Sequence, residues 1–168
     1  LFPMHVWLPE AHPAAPSHVS AIMSGVMIKT GVYGVLRVVS QMSDPAQIHT
    51  AGVVILGAGV VTGLWGVILA AMQNDVKRLL AYSSIENVGV IFIGLGIATL
   101  ANAAGNATIM NLALCGALLH TINHSLFKSL LFFGAGNIYS QMHTTLLDRF
   151  GGVAKHMPVT AILFLLAT

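Results

Sequence analysis

Long apolar runs separated by short polar stretches form the dominant pattern along this chain. Crossing a bilayer as a helix takes about 20 predominantly apolar residues. Four runs reach that length, and a fifth begins near residue 157: Ser17–Val39, Ala51–Gln73, Leu79–Ala101, a run within Thr108–Tyr139, and the start at Met157. The fourth is longer than one span needs, so we expect it to tilt, kink or emerge from the membrane. The pattern predicts an all-α integral membrane protein, a polytopic helix bundle with about four complete transmembrane helices.

The composition agrees with a chain whose surface faces lipid. Of 168 residues, 56% are hydrophobic and only 7% are charged, whereas a soluble domain typically has about 25% charged residues. The net charge of +2 is small, and no cluster of Lys and Arg suggests nucleic acid as a partner. The single cysteine, Cys115, excludes an intrachain disulfide and a cysteine-built metal or iron–sulfur site. We expect no cofactor in this chain. We also expect residues 1–168 to be the central fragment of one transmembrane domain, without a separate soluble domain.

Positive charge is unevenly distributed between the loops. The loops after the second and fourth runs, residues 74–78 and 140–157, contain four basic residues, and those after the first and third runs contain none. These four are Lys77, Arg78, Arg149 and Lys155. Because Lys and Arg are enriched in cytoplasmic loops, we expect both basic loops to be cytoplasmic, together with residues 1–16.

The first eighteen residues, "LFPMHVWLPEAHPAAPSH", differ from the rest of the chain. Prolines at positions 3, 9, 13 and 16 forbid a continuous helix, because each lacks an amide donor and crowds the preceding turn. Two interpretations follow from the pattern: a proline-rich connector, or the second half of a broken membrane helix. The histidines in or near the loops, including His5 and His12, are expected to be ordinary polar residues.

Several ionisable residues lie inside the apolar runs. Lys29 is twelve residues into the first run, and Glu86 is seven residues after the start of the third. His120, His124 and Lys128 recur at every fourth position of the fourth run, so on a helix they form one stripe with neighbours about 6 Å apart. A Lys or Arg at the centre of a spanning helix costs roughly 2.5–3.5 kcal/mol on insertion scales. A functional reason for these residues is therefore expected.

The stripe suits the movement of protons. Histidine titrates near neutrality and can accept a proton on one ring nitrogen while it releases one from the other. At about 6 Å, neighbouring groups of the stripe need one or two bridging waters. Three other interpretations remain open. The histidines can be structural hydrogen-bonding groups between helices, Lys29 and Glu86 can form an interhelical ion pair, and His120 with His124 can bind a metal, although no neighbour supplies a third ligand.

Three long stretches resemble a known family. They are "FPMHVWLPEAHPAAPSHVSAIMSGVMIKTGVYGVLR", "NDVKRLLAYSSIENVGVIFIGLG" and "HTINHSLFKSLLFFGAGNI". All three are similar to the antiporter-like, proton-translocating membrane subunits of respiratory complex I, multi-subunit sodium/proton antiporters and energy-converting hydrogenases. The segments "HPAAPSHVSA" and "SIENVG" most resemble the formate hydrogenlyase and hydrogenase-4 type.

The resemblance implies a proton pathway and two broken helices. Lys29, His120, His124 and Lys128 match residues of the family's transmembrane proton axis, and Glu86 is added as a pathway residue because Asn87 stands where some relatives have a histidine. The broken helices would begin before Leu1 and near Met157. The family's further pathway groups would lie before Leu1 and after Thr168.

The resemblance also implies a place in a larger assembly. We expect a proton-translocating subunit of a redox-driven complex in a bacterial or archaeal cytoplasmic membrane, not an enzyme by itself. Its partners would be other membrane subunits and a peripheral redox arm, and nickel–iron and iron–sulfur centres would belong to those partners. The alternatives are a sodium/proton antiporter subunit driven by an ion gradient and a structural membrane anchor without transport.

Overall fold

A computed structural model describes residues 1–168 as a bundle of helices without a β-strand. The α-helices are α1 Leu8–Ala14, α2 Ser17–Ile22, α3 Ile28–Ser40, α4 Pro45–Ala71, α5 Val76–Ala103, α6 Ala107–Met142, α7 Val153–His156 and α8 Pro158–Leu166. A π-helical turn, Met23–Met27, joins α2 to α3, and a 3₁₀ turn covers Leu147–Arg149. The all-α prediction is therefore confirmed.

The predicted spans correspond to the long helices within a few residues. Three are long and apolar enough to cross a membrane, namely Ser17–Ser40, Pro45–Ala71 and Val76–Ala103. The fourth, α6, has 36 residues, and at 1.5 Å per residue it is about 54 Å long, well above the thickness of a bilayer core. Its polar stripe interrupts its apolar character. The expectation that this helix exceeds a single span is correct.

Polar side chains determine where the long helices begin. Asp44, Asp75 and Asn106 stand directly before α4, α5 and α6, and each accepts a hydrogen bond from a backbone amide in the first turn. Such caps satisfy amide groups that have no partner inside the helix. The caps lie in the short polar loops. The loop that ends one apolar run therefore also supplies the cap of the next helix.

Glycines let α4 and α5 approach closely. A Cβ added to Gly59 would come within 2.8 Å of the Ile93 backbone nitrogen, and one added to Gly89 would come within 2.5 Å of the Gly63 nitrogen. Small residues at such spacing are typical of helix contacts in membranes. Gly59 and Gly63 thus form a small-residue face in contact with α5.

This contact leads to a prediction about stability. Replacing Gly59 by Ala should destabilise the protein by about 1–3 kcal/mol, the usual cost of overpacking a tight contact. Gly57→Ala is the matched control, because a Cβ at Gly57 meets nothing within 4 Å. Thermal unfolding of the two detergent-solubilised variants measures the difference. Equal unfolding temperatures would contradict the close contact.

The two basic loops meet on one face of the bundle. Asp75 and Leu146 form an isolated antiparallel bridge, with Val76 N donating to Thr145 O at 2.9 Å. Glu10 lies at the same face, since Arg78 forms an ion pair with it at 2.7 Å. The residues before it reach deeper, because the Phe2 amide donates to Thr62 Oγ1 within α4 at 3.0 Å. The two basic loops and Glu10 are therefore grouped at one face, and Leu1 and Phe2 are not. The membrane side on which this face lies stays a prediction.

Lys77, predicted to lie in a basic loop, is instead a buried residue in the first turn of α5. It is 6% exposed, and its Nζ donates to the Ala15 carbonyl at 2.9 Å. Ala15 ends α1, where carbonyl groups have no partner within the helix. The helical backbone is interrupted there, because Ala15 and Pro16 are both extended. The helix is thus broken at Ala15–Pro16, whereas Pro9 and Pro13 lie within α1, contrary to the expectation that each proline interrupts it.

Candidate functional site

Polar side chains from three helices meet in the interior of the bundle. α5 is the central helix, packed against α4 on one side and α6 on the other. The segment α2–π turn–α3 lies against α6. His124 and Lys128 of α6 are 0% and 1% exposed, and Ser24 and Ser84 are also fully buried. A membrane interior tolerates such groups only where they contact one another or a functional path.

Lys29 and His124 are in direct contact. Lys29 Nζ lies 2.6 Å from His124 Nδ1, although the residues are 95 positions apart in the chain. A proton on this hydrogen bond can belong to the amine or to the imidazole, so its transfer requires no movement of heavy atoms. The second ring nitrogen of His124, Nε2, is buried and has no partner within the chain. His124 can therefore take a proton on one side and pass one on from the other.

The π-helical turn of Met23–Met27 lies directly before Lys29. The Ile28 amide donates to the Met23 carbonyl, five residues back. Lys29 Nζ itself donates to the Ser24 carbonyl. π-helical turns occur frequently at functional sites, and this one precedes the charged residue of the first span.

A chain of hydroxyl groups leads from the π turn to Lys128. Ser24 Oγ lies 2.8 Å from Ser84 Oγ, and Ser84 Oγ donates to the Leu80 carbonyl at 2.9 Å. Because the only hydroxyl hydrogen of Ser84 is directed to Leu80, Ser24 acts as the donor between the serines. Lys128 Nζ donates to the same Leu80 carbonyl at 3.3 Å. Both lysines therefore connect to one polar network.

Sequence reasoning did not identify these two serines. Serine is common in membrane helices, where its hydroxyl can bond to its own backbone. The available signal was position: Ser24 is five residues before Lys29, and Ser84 is two before Glu86. Only the packing of α2 and the π turn against the other helices shows that the two hydroxyls meet.

His120 extends the site at the other end of the stripe. Its Nε2 lies 3.0 Å from Asn87 Oδ1. Because a carbonyl oxygen only accepts, His120 carries a hydrogen on Nε2. The Asn87 amide is fixed in turn by donation to the Ser83 carbonyl at 2.8 Å. The rings of His120 and His124 are 6.3 Å apart, which agrees with the expected spacing of the stripe.

Glu86 is separate from this network. It forms no hydrogen bond and no ion pair, and the one salt bridge of the chain joins Arg78 to Glu10. Glu86 instead borders a groove of about 290 Å³ beside α4, next to Gly63 and Val67. The interhelical pair of Lys29 and Glu86, one of the interpretations left open by the sequence, is therefore not formed. The partner of Lys29 is His124.

His5 and His12 are not the ordinary polar residues that the sequence suggested. They are 7% and 0% exposed, respectively. His12 stacks on Phe132 with a centroid separation of 4.6 Å and an angle of 16° between the rings. That expectation is wrong because α1, which contains His12, packs against α5, and His5 is buried in the turn before α1.

The arrangement of these side chains suits proton exchange better than the binding of a metal ion. Four of the five predicted pathway residues, Lys29, His120, His124 and Lys128, lie along one polar line through the bundle. No group of three or more His, Cys, Asp or Glu side chains is arranged to hold a metal ion. The metal interpretation of His120 and His124 thus gains no third ligand from the fold.

Known proteins resemble this chain over its whole length. Residues 1–168 match the family model described as NADH:quinone oxidoreductase/Mrp antiporter, TM. Hydrogenase-4 component B of Escherichia coli is 44% identical over 162 residues, which are 96% of this chain and 24% of that protein. Formate hydrogenlyase subunit 3 of the same organism is 36% identical, with 98% and 27% covered. NAD(P)H-quinone oxidoreductase chain 4 2 of Thermosynechococcus vestitus is 38% identical, with 98% and 28% covered.

A solved structure shares the fold. It is that of the membrane-bound sulfane sulfur reductase, an archaeal respiratory membrane complex. The TM-score is 0.87 with 26% identity, over 99% of this chain and 32% of the matched chain. The chain thus spans about a quarter of the length of the curated relatives it matches.

Proposed function

Because the chain belongs to the NADH:quinone oxidoreductase/Mrp antiporter membrane family, we propose that it conducts protons as part of a membrane subunit in a redox-driven complex. The single observation that carries the proposal is the contact between Lys29 and His124, 2.6 Å apart in the interior of the bundle. A half-buried amine against a fully buried imidazole makes a hydrogen bond along which a proton can move. A scaffold would be better served by apolar side chains at these positions.

The pathway residues are Lys29, His120, His124 and Lys128, joined by intervening water and by the hydroxyls of Ser24 and Ser84. Glu86 is not part of this network. It remains a candidate pathway residue because it lies on the same helix as Ser84. Moving one charge against the membrane potential requires about 2.3 kcal/mol per 100 mV. The energy must therefore come from partners, and we assign it to electron transfer in a peripheral redox arm.

The similarity to hydrogenase-4 component B and to formate hydrogenlyase subunit 3 supports a hydrogenase-type assembly, and a complex I-like assembly is the related choice. In either assembly this chain is not an enzyme by itself, and nickel–iron or iron–sulfur centres would be held by partner subunits. We place the protein in a bacterial or archaeal cytoplasmic membrane, with residues 74–78 and 140–157 on the cytoplasmic side because of their positive charge.

A sodium/proton antiporter subunit is the second candidate, because the matching family model also names the Mrp antiporter. The two candidates differ in the driving force. In membrane vesicles that contain the full-length protein with its partners, redox turnover should acidify or alkalinise the lumen without added sodium, and a sodium gradient alone should not. Transport that requires sodium and no redox substrate would favour the antiporter.

The serine link between Ser24 and Ser84 offers a test of the proposed pathway. Ser84→Ala should slow proton transport roughly two- to tenfold, the factor that corresponds to the 0.5–1.5 kcal/mol of one hydrogen bond. Redox turnover and assembly should change little. Ser83→Ala is the matched control, because the Ser83 side chain makes no hydrogen bond in the chain and only its carbonyl is used. Equal transport in both variants would remove the Ser84 hydroxyl from the pathway.

A further inference from the structure

His12 is a fully buried imidazole that the proposed pathway does not use. Its exposure is 0%, and neither Nδ1 nor Nε2 has a hydrogen-bond partner within the chain. Most buried polar side chains are satisfied, because leaving one unpaired costs about 1–3 kcal/mol. An apolar residue would stack on Phe132 without that cost. Because both ring nitrogens of His12 lack a partner, the ring is suited to a role in which they gain and lose hydrogen bonds.

Two lysines, Lys128 and Lys77, lie near the contacts that His12 and its neighbours make. Its ring stacks on Phe132, which is one helical turn beyond Lys128 on α6. Three residues after His12 in the chain, the Ala15 carbonyl accepts a hydrogen bond from Lys77 Nζ. Glu10, only two residues before His12, is exposed and paired with Arg78. Within one turn of α1, the chain thus passes from Glu10 at the bundle face to His12, near Lys128.

From this geometry we propose that His12 carries protons between Lys128 and the bundle face formed by Glu10 and the basic loops. The ring accepts a proton at one nitrogen and releases one from the other, so it returns to its neutral form and no bond other than N–H is made or broken. Water between the groups completes each transfer. The proposal rests on the proposed function, because it supplies one end of the same pathway.

The experiment compares substitutions at His12 in the full-length protein with its partners in membrane vesicles. His12→Gln keeps a polar group of similar length but cannot pass a proton through a ring. His12→Phe keeps the stack on Phe132. Neither changes the His12 carbonyl, which accepts from Ser20 Oγ at 3.0 Å. His18→Gln is the matched control, since His18 is exposed at the start of α2. Proton transport per redox turnover and assembly are measured for each variant.

We expect both His12 variants to assemble and to transport protons roughly tenfold more slowly, as for a barrier raised by one such step, while His18→Gln is unchanged. Transport that persists in His12→Phe would overturn the proposal, because it would show that stacking is sufficient. Failure of both variants to assemble would also overturn it and assign the ring a packing role.

A Lys128→Met variant in the same assay separates the two levels of inference. If Lys128→Met abolishes transport and the His12 variants do not, only the role of His12 is wrong. If neither Lys128→Met nor the His12 variants affect transport, both the role of His12 and the proposed function are wrong.

Discussion

Replacing Lys29 by Met should reduce proton transport by roughly 100-fold or more, the lower end of what a positioned proton-transferring side chain contributes. Methionine preserves the length of the apolar stem and removes the amine that contacts His124 at 2.6 Å. Removing the imidazole by His124→Gln should have a similar effect, because the same hydrogen bond is lost. The measurement is the initial rate of redox-driven proton movement in vesicles that contain the assembled complex.

The relation between the two substitutions is the sharper test. If Lys29 and His124 act as one proton-exchanging pair, the double variant should be no slower than either single variant, since the step is already lost. Lys155→Met is the control, because Lys155 is an exposed lysine of the last loop. Independent, multiplicative losses in the double variant would contradict a shared step. Unchanged transport in both single variants would mean that the charges only hold helices together.

Lys128→Met should also reduce transport by roughly 100-fold, with the protein still folded. Lys128 is 1% exposed, and its one hydrogen bond goes to the Leu80 carbonyl. That carbonyl keeps Ser84 as a donor after the substitution, so no buried acceptor is left without a partner. The loss of an uncompensated buried charge should leave stability unchanged or raise it. Transport and thermal unfolding of the purified assembly measure the two effects separately.

Arginine at the same position distinguishes charge from proton transfer. An arginine side chain keeps the positive charge but does not release its proton in proteins. Lys128→Arg should therefore fail to transport as Lys128→Met does. Transport retained by Lys128→Arg would show that a fixed positive charge is sufficient there, and the lysine would have to be removed from the pathway.

The long helical spans could be predicted from the sequence, because the length of each apolar run is set by the membrane. The largest difference is at the start of α4, which begins at Pro45 and not at Ala51, and the short helices α1 and α7 were not predicted. The caps at Asp44, Asp75 and Asn106 lie in the polar interruptions between runs. The stripe of His120, His124 and Lys128 could also be predicted, since residues four apart share one face of a helix.

Contacts between helices could not be predicted in the same way. The rotation of α5 decides that Ser84 faces Ser24 and that Glu86 faces the groove beside α4. The pattern within α5 does not determine that rotation, because its apolar residues are spread over all faces of the helix. His12 was misjudged for a related reason: proline-rich sequence suggests an exposed connector, and its burial depends on how α1 packs on the bundle.

The π-helical turn has a consequence for how the Lys29 charge is aimed. A turn that closes over five residues instead of four accommodates one residue more than a regular α-helix, so the residues before and after it keep the alignment of a regular helix. Deleting one residue from Met23–Met27 would therefore let the backbone wind regularly and leave Lys29 facing His124. The same deletion in a regular helix such as α4 would rotate all residues beyond it by about 100°. The Met23–Met27 turn is thus the place where this span can gain or lose one codon without changing the direction of the charge.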